Sequence, residues 1–335
     1  MKIGIIGDIH FNEYSSILRE RGNKFSLRLE NCIKSINWAE EYTQDCDQII
    51  YLGDFFDKSS LNAEELTALA DINWNNVPHK FLVGNHEMGI NSLIFSSAHV
   101  LKNNRFEIID SAKTEIYDGF ELCYLPYILE ENREPLVNYF KPYISGTKTR
   151  YIFSHNDLAG VQMGKFISKS GFSIEEIEAD CNLFVNGHLH NGMPITNKII
   201  NIGNLTGQNF SEDGFIYSHN IMTIDTDKQG YDIHRNPYAI NFYKLTSIDD
   251  LSKVTNAVIT LQVSDDEVAK ANELIRQNPE IVASRVIVNY SRKEKRDVQE
   301  LTVDHLEEFK NFIYDKFEDD PQFDLVREEL NYIYG

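Results

Sequence analysis

The chain is short of several things, and each shortage narrows what it can be. It has 4 cysteines in 335 residues, Cys32, Cys46, Cys123 and Cys181, and no CxxC pair. That usage excludes a disulfide framework and a structural zinc knuckle, and it points to a reducing compartment, the cytoplasm. No apolar run approaches the roughly twenty residues of a membrane-spanning helix. The opening MKIGIIGDIH has one lysine and a short apolar run stopped by Asp8, so we expect no signal peptide. Internal repeats and low-complexity tracts are missing. Positive charge is scarce: 32 Lys and Arg face 52 Asp and Glu, for a formal net charge of -20. Non-specific affinity for nucleic acid comes mainly from Lys and Arg displacing counterions. A nucleic-acid role therefore requires metal ions in the site, a basic partner, or both.

What the chain does have is a set of apolar strands that end in metal-competent side chains. KIGIIGD ends in Asp8, with His10 two residues on; QIIYLGD ends in Asp54, with Asp57 close behind. HKFLVGNHE ends in Asn85 and His86, RYIFSHND in His155, and NLFVNGHLH in His188 and His190. Continuous apolar runs are the mark of strands buried on both faces. Between the first two lies a helical stripe of Leu29, Ile33, Ile36 and Ala39, so the class is α/β; YDGFELCYLPYI reads as antiparallel β material in a mixed architecture. Ligands collect outside the carboxyl ends of strands in such sheets, so five separate stretches can converge on one rim. In extended backbone, residues i and i+2 point the same way, which aims His188 and His190 at one spot, with Gly187 turning the chain.

Carboxylate, imidazole and amide donors together suit a borderline or hard divalent ion, Mn²⁺ before Mg²⁺, Fe²⁺ or Zn²⁺. There are too many donors for one ion. Two ions about 3.5–4 Å apart, bridged by Asp54, fit an in-line phosphoryl displacement. Each piece alone has a plainer reading: Asp54 as a helix cap, Asn85 as a turn residue, His155 as a core histidine. Their joint arrival at strand ends does not. His79, His99, His219, His234 and His305 have no such setting.

Beyond residue 240 the pattern changes to a strand (NAVITLQV), a helix (DDEVAKANELIRQ) and a strand (ASRVIVNY). The charged run SRKEKRD reads as a linker. The expected organisation is a domain over 1–240, a small α/β domain over 241–292, a linker over 293–300 and a helical segment over 301–335. In that last segment Val303, Leu306, Phe309, Ile313 and Phe317 form one apolar stripe, and Leu325, Leu330 and Ile333 a second beyond Pro321. Such stripes pack back on the body or dock on a partner.

The ordered set GDIH, GDFFD, GNHE, SHND and GHLH, over roughly residues 1–220, resembles the signature of the calcineurin-like metallophosphoesterases. The resemblance implies a four-layer αββα sandwich with two facing mixed sheets. It implies one ion on Asp8, His10, Asp54 and His190, and another on Asp54, Asn85, His155 and His188. A water between the ions would attack, and His86 would assist the departing oxygen. IINIGNLTGQNFSEDGF (199–215) further resembles the segment after the last motif of the SbcD/Mre-eleven nucleases. The small unit is similar to their capping domain, and the terminal helices to the segment that docks on an SbcC/Rad-fifty-type coiled-coil ATPase. Size and layout look like the nuclease subunits of large tailed phages. This implies exonuclease or endonuclease action on DNA in repair and recombination, DNA and the ATPase as partners, and a homodimer. Where cellular members often carry a histidine, this chain has Asp57, left to hold His10 or His86 by a hydrogen bond. GDFFD and GNHE also resemble the Ser/Thr phosphoprotein phosphatases, although Lys58-Ser59-Ser60 stand where those carry a phosphate-gripping arginine. A non-catalytic scaffold is the third reading, and the retention of His86 beside every ligand argues against it.

Overall fold

The computed structural model describes residues 1–15, 18, 20–142, 148–163 and 166–289. The expected linker 293–300 and the helical segment with Val303, Leu306, Phe309, Ile313, Phe317, Leu325 and Leu330 lie outside the described residues.

Two six-stranded mixed sheets carry the larger part of the chain. The first runs, in spatial order, Gly230–Arg235, Asn220–Asp225, Lys2–Ile6, Gln48–Tyr51, His79–Leu82 and Phe106–Ile109. Its last four strands are parallel, and Asn220–Asp225 joins them antiparallel, with Ile5 opposite Met222. The second runs Met193–Pro194, Ile199–Asn201, Leu183–Asn186, Thr149–Ser154, Phe120–Leu125 and Lys113–Ile116. Phe120–Leu125, within YDGFELCYLPYI, pairs antiparallel with Lys113–Ile116, as expected of that stretch, and parallel with Thr149–Ser154 on its other edge.

Side chains alternate across each strand, so one strand feeds two cores. Ile3, Ile5, Ile50 and Leu82 meet Leu122, Tyr124, Phe153 and Val185 between the sheets. Their neighbours Ile6, Ile49, Tyr51 and Phe81 face the helix Leu27–Tyr42 through its Leu29, Cys32, Ile36 and Ala39. On the far side Cys123, Ile152, Phe184 and Ile199 pack with Ile177 of the helix Ile174–Asp180. The layers are therefore helix, sheet, sheet, helix. This is why the strands read as unbroken apolar runs: both of their faces are covered. Ser26 starts the long helix by accepting the Leu29 amide at 3.2 Å.

The strands Asn241–Leu245 and Ala257–Ser264 pair in parallel, with Ile281–Asn289 as the third strand of a small sheet. Tyr243, Ile259 and Leu261 pack under the helix Val268–Gln277 at its Ala271. On the opposite face Phe242 and Val258 bury against Leu18 and Ile240. No helix among the described residues is long and apolar enough to cross a membrane.

Candidate metal centre

The loops leaving the carboxyl ends of five strands meet at one rim. Donor atoms of Asp8, His10 and His190 lie within 4.8 Å of one another, as do those of Asp54, His155 and His188. Asp54 lies between the groups, its Oδ2 3.1 Å from His155 Nε2 and 3.8 Å from His10 Nε2. Asn85 belongs with the second group: its Oδ1 is 2.9 Å from His188 Nδ1 and 3.1 Å from His155 Nε2. All seven ligands expected from the sequence are thus brought together, with His86 and Asp57 at their flank.

The donors fit a cation. Asp8 Oδ2 and His10 Nε2 are both buried with no hydrogen-bond partner, and an unmet buried polar atom costs about 1–3 kcal/mol. Three imidazoles are held from behind: His10 Nδ1 by Asp57 Oδ1 at 3.0 Å, His155 Nδ1 by the Leu52 carbonyl at 2.9 Å, and His190 Nδ1 by Glu212 Oε1 at 3.2 Å. His188 Nε2 reaches Asp157 Oδ1 at 3.1 Å, leaving Nδ1 toward Asn85. Partners of this kind orient a metal-binding ring and raise its basicity.

The backbone is strained where the ligands sit. His10, Asp54 and His188 have φ of 49°, 47° and 67°, a region non-glycine residues seldom occupy. This corrects the reading of GHLH as extended chain turning at Gly187. The left-handed residue is His188 itself, and the Leu189 amide bonds back to the Gly187 carbonyl at 2.8 Å. As a result the two histidines serve different groups. Gly187 is required for room: a methyl there would lie 2.6 Å from Asp8 Oδ1.

Charge is concentrated here. Burial favours a protonated Asp54, but His155, His10 and His86 outweigh it and hold the carboxyl far below its usual range. Burial acts likewise on Asp57, where hydrogen bonds from His10 and His86 win and the carboxyl is also lowered. Burial pushes His155 down, yet Asp54 and Asp8 bring it up to about 9. His86 is raised to about 9, chiefly by its bond to Asp57. His10 is lowered by its burial. Behind them Glu87, buried and near Asp54, is pushed up to about 8. The carboxylates call for positive charge, which a divalent ion supplies on displacing ligand protons.

His86 anchors its amide on Asp54 Oδ1 at 2.9 Å and its Nδ1 on the Asp57 carbonyl at 3.2 Å. Its half-exposed ring lines a cleft of about 320 Å³ with Asp54, Gln162, His188, Leu189, His190, Asn191, Met193 and Ser211. Asp54 is the one carboxylate among these lining residues.

Sequence reading did not single out Glu212, Asp157, Glu87 or Asn12, whose Nδ2 donates to Asp57 Oδ2 at 2.7 Å. Three of them stand inside motifs quoted for other residues, SEDGF, SHND and GNHE, and a carboxylate so near a ligand is a usable signal. Nothing marks Asn12. Among the other histidines, His79 pairs with Glu40 in the core at 2.9 Å, and His219 contacts the Asn204 carbonyl at 3.0 Å.

Residues 1–192 match the calcineurin-like phosphoesterase family. No curated protein matches the chain. Among solved structures, a 5′-nucleotidase precursor from Thermus thermophilus is similar, with 12% identity and a TM-score of 0.35. The alignment covers 70% of this chain and 54% of that one, so this chain spans about half that protein's length.

Proposed function

Since the chain belongs to the calcineurin-like phosphoesterase family, a family of metal-dependent hydrolases, we propose that it is a two-metal DNA nuclease acting in repair or recombination. The observation that carries this reading is the cleft. In a chain with 52 acidic residues, one carboxylate stands among the described residues that line it, Asp54, and that one belongs to the ion site. A polyanion therefore meets histidine, amide and hydroxyl groups there instead of repulsion. The segment 199–215, which carries the likeness to SbcD/Mre-eleven nucleases, supports the reading further because it supplies Glu212 to His190.

Asp8, His10, Asp54 and His190 would hold one divalent ion, and Asp54, Asn85, His155 and His188 the other. Bound there, Mn²⁺ ions supply Lewis-acid charge and lower the pKa of an attacking water. The chain's own groups do the rest. Asp57 holds His86 through Nδ1 and keeps it charged, so Nε2 offers a proton to the departing oxygen across the cleft. The Asp57 carboxylate also fixes the ring of His10 at 3.0 Å and lies 3.4 Å from His86 Nδ1, which joins proton donation to metal binding through one residue. The net charge of -20 favours a DNA grip shared with a coiled-coil ATPase docked on residues 301–335. The exposed Ile90, Ile94 and Phe95 after His86 suit a homodimer contact.

A protein phosphatase is the competing reading. Its phosphate-gripping position is taken by Lys58, whose ammonium is held by buried Glu65 at 2.8 Å. The test gives wild type and His86→Ala Mn²⁺, labelled linear and single-stranded DNA, and separately a phosphopeptide. DNA cleavage by wild type, reduced about 10²–10⁴-fold in the variant with metal content unchanged, is the expected result. Phosphopeptide turnover without DNA cleavage contradicts it.

A further inference from the structure

The segment Asn204–Glu212 bonds directly to Asp8 and His190 and reaches His10 through Arg28. The Leu205 amide donates to the Asp8 carbonyl at 2.8 Å, and the Asn204 amide to the His190 carbonyl at 3.1 Å. The Gly207 carbonyl accepts Arg28 Nη1 at 3.0 Å, while Nη2 of the same buried guanidinium reaches the carbonyls of Ile9 at 2.9 Å and His10 at 3.4 Å. Glu212 Oε1 lies 3.2 Å from His190 Nδ1. The other ion position is braced from elsewhere, by Leu52 and Asp157: among the described residues, no hydrogen bond joins this segment to Asn85, His155 or His188.

Glu212 is the one charged side chain of this segment, and it is fully buried. A carboxylate in that setting must be saturated with donors. Gln208 gives its amide to Oε2 at 3.0 Å, and the side chains of Asn204 and Asn209 each donate to Oε1 at 3.3 Å. The segment is itself tied to the three-stranded unit. Gly207 donates to the Ile240 carbonyl at 3.0 Å, and Gly214 to that of Phe242 at 2.8 Å.

We propose that Glu212 is a positioning residue for the Asp8–His10–His190 ion and not for its neighbour. This rests on the two-metal reading above. Removing the carboxylate frees the His190 ring and loosens the loop that braces Asp8. The position sharing Asn85, His155 and His188 keeps the supports behind its rings, Leu52 at His155 and Asp157 at His188.

The test is a Mn²⁺ titration of the full chain, with bound ions counted by electron paramagnetic resonance. Wild type should bind two ions. Glu212→Ala should keep one at wild-type affinity and bind the other about 10–100-fold more weakly. Adding His190→Ala to that variant should change little, whereas adding His188→Ala should abolish the remaining strong site. Should Glu212→Ala fail to fold, the isosteric Glu212→Gln takes its place, with a smaller selective loss expected. Two ions at unchanged affinity in a folded variant, or equal weakening of both, overturns the proposal. A wild type that binds no Mn²⁺ overturns the two-metal reading and this inference with it.

Discussion

A methyl group on residue 84 would sit 2.1 Å from Asp54 Oδ1. Neither partner has room to yield, because Asp54 is buried, left-handed and bonded to the His86 amide. Gly84→Ala should therefore leave the sheets folded and cost the centre its ions, as Asp54→Ala should; elemental analysis still finding two ions per chain would refute the bridging role. At this scale the ligands are legible because each stands where an apolar run stops. Their supports are not. Glu212 meets His190 and Asp157 meets His188 through loop geometry, and no local pattern states which ring a carboxylate will reach. The backbone at His188 escapes sequence reading for a related reason. Extended geometry is the default after a strand, and the contact that accompanies the turn at His188, its amide on Asp8 Oδ1 at 3.1 Å, joins residues far apart in sequence.

Elements are legible where both faces are apolar. Lys2–Ile6, Gln48–Tyr51 and Leu183–Asn186 are such strands, and the stripe from Leu29 to Ala39 lies within the helix Leu27–Tyr42. Gly230–Arg235 is not, since it forms a sheet edge with Tyr231 and Ile233 exposed and lacks an apolar run. Which sheet a strand joins is equally hidden, because pairing partners lie far apart in sequence. Polar groups also hold elements together. Arg150, 1% exposed, binds Glu121 at 2.6 Å and Asp180 at 2.9 Å, linking two strands to the helix Ile174–Asp180. Arg150→Ala strands two nearly buried carboxylates and should cost about 3–5 kcal/mol in urea unfolding; a cost under about 1 kcal/mol would show the cluster to be dispensable. Glu115 gives the pH counterpart. Burial raises its pKa, but Lys80 and Lys113 outweigh that and lower it from 4.5 to about 2. Its contribution is complete above about pH 4.5 and lost as pH falls toward about 2. Glu115→Gln should flatten the stability profile in that window, and an unchanged slope would contradict the ion pairs.

At the scale of the whole molecule, the substrate proposed for this strongly acidic chain is itself an anion. The four layers place five strand ends on one rim, and two divalent ions held there would reverse the local sign of charge. Everything proposed for the protein depends on that reversal. The most direct test is crystallographic: crystals soaked in Mn²⁺, with anomalous scattering collected at the manganese edge. The expected result is two peaks about 3.5–4 Å apart on either side of the Asp54 carboxylate, one beside His10 and His190 and the other beside His155 and His188. A single peak, or none within reach of Asp54, would contradict the two-metal centre.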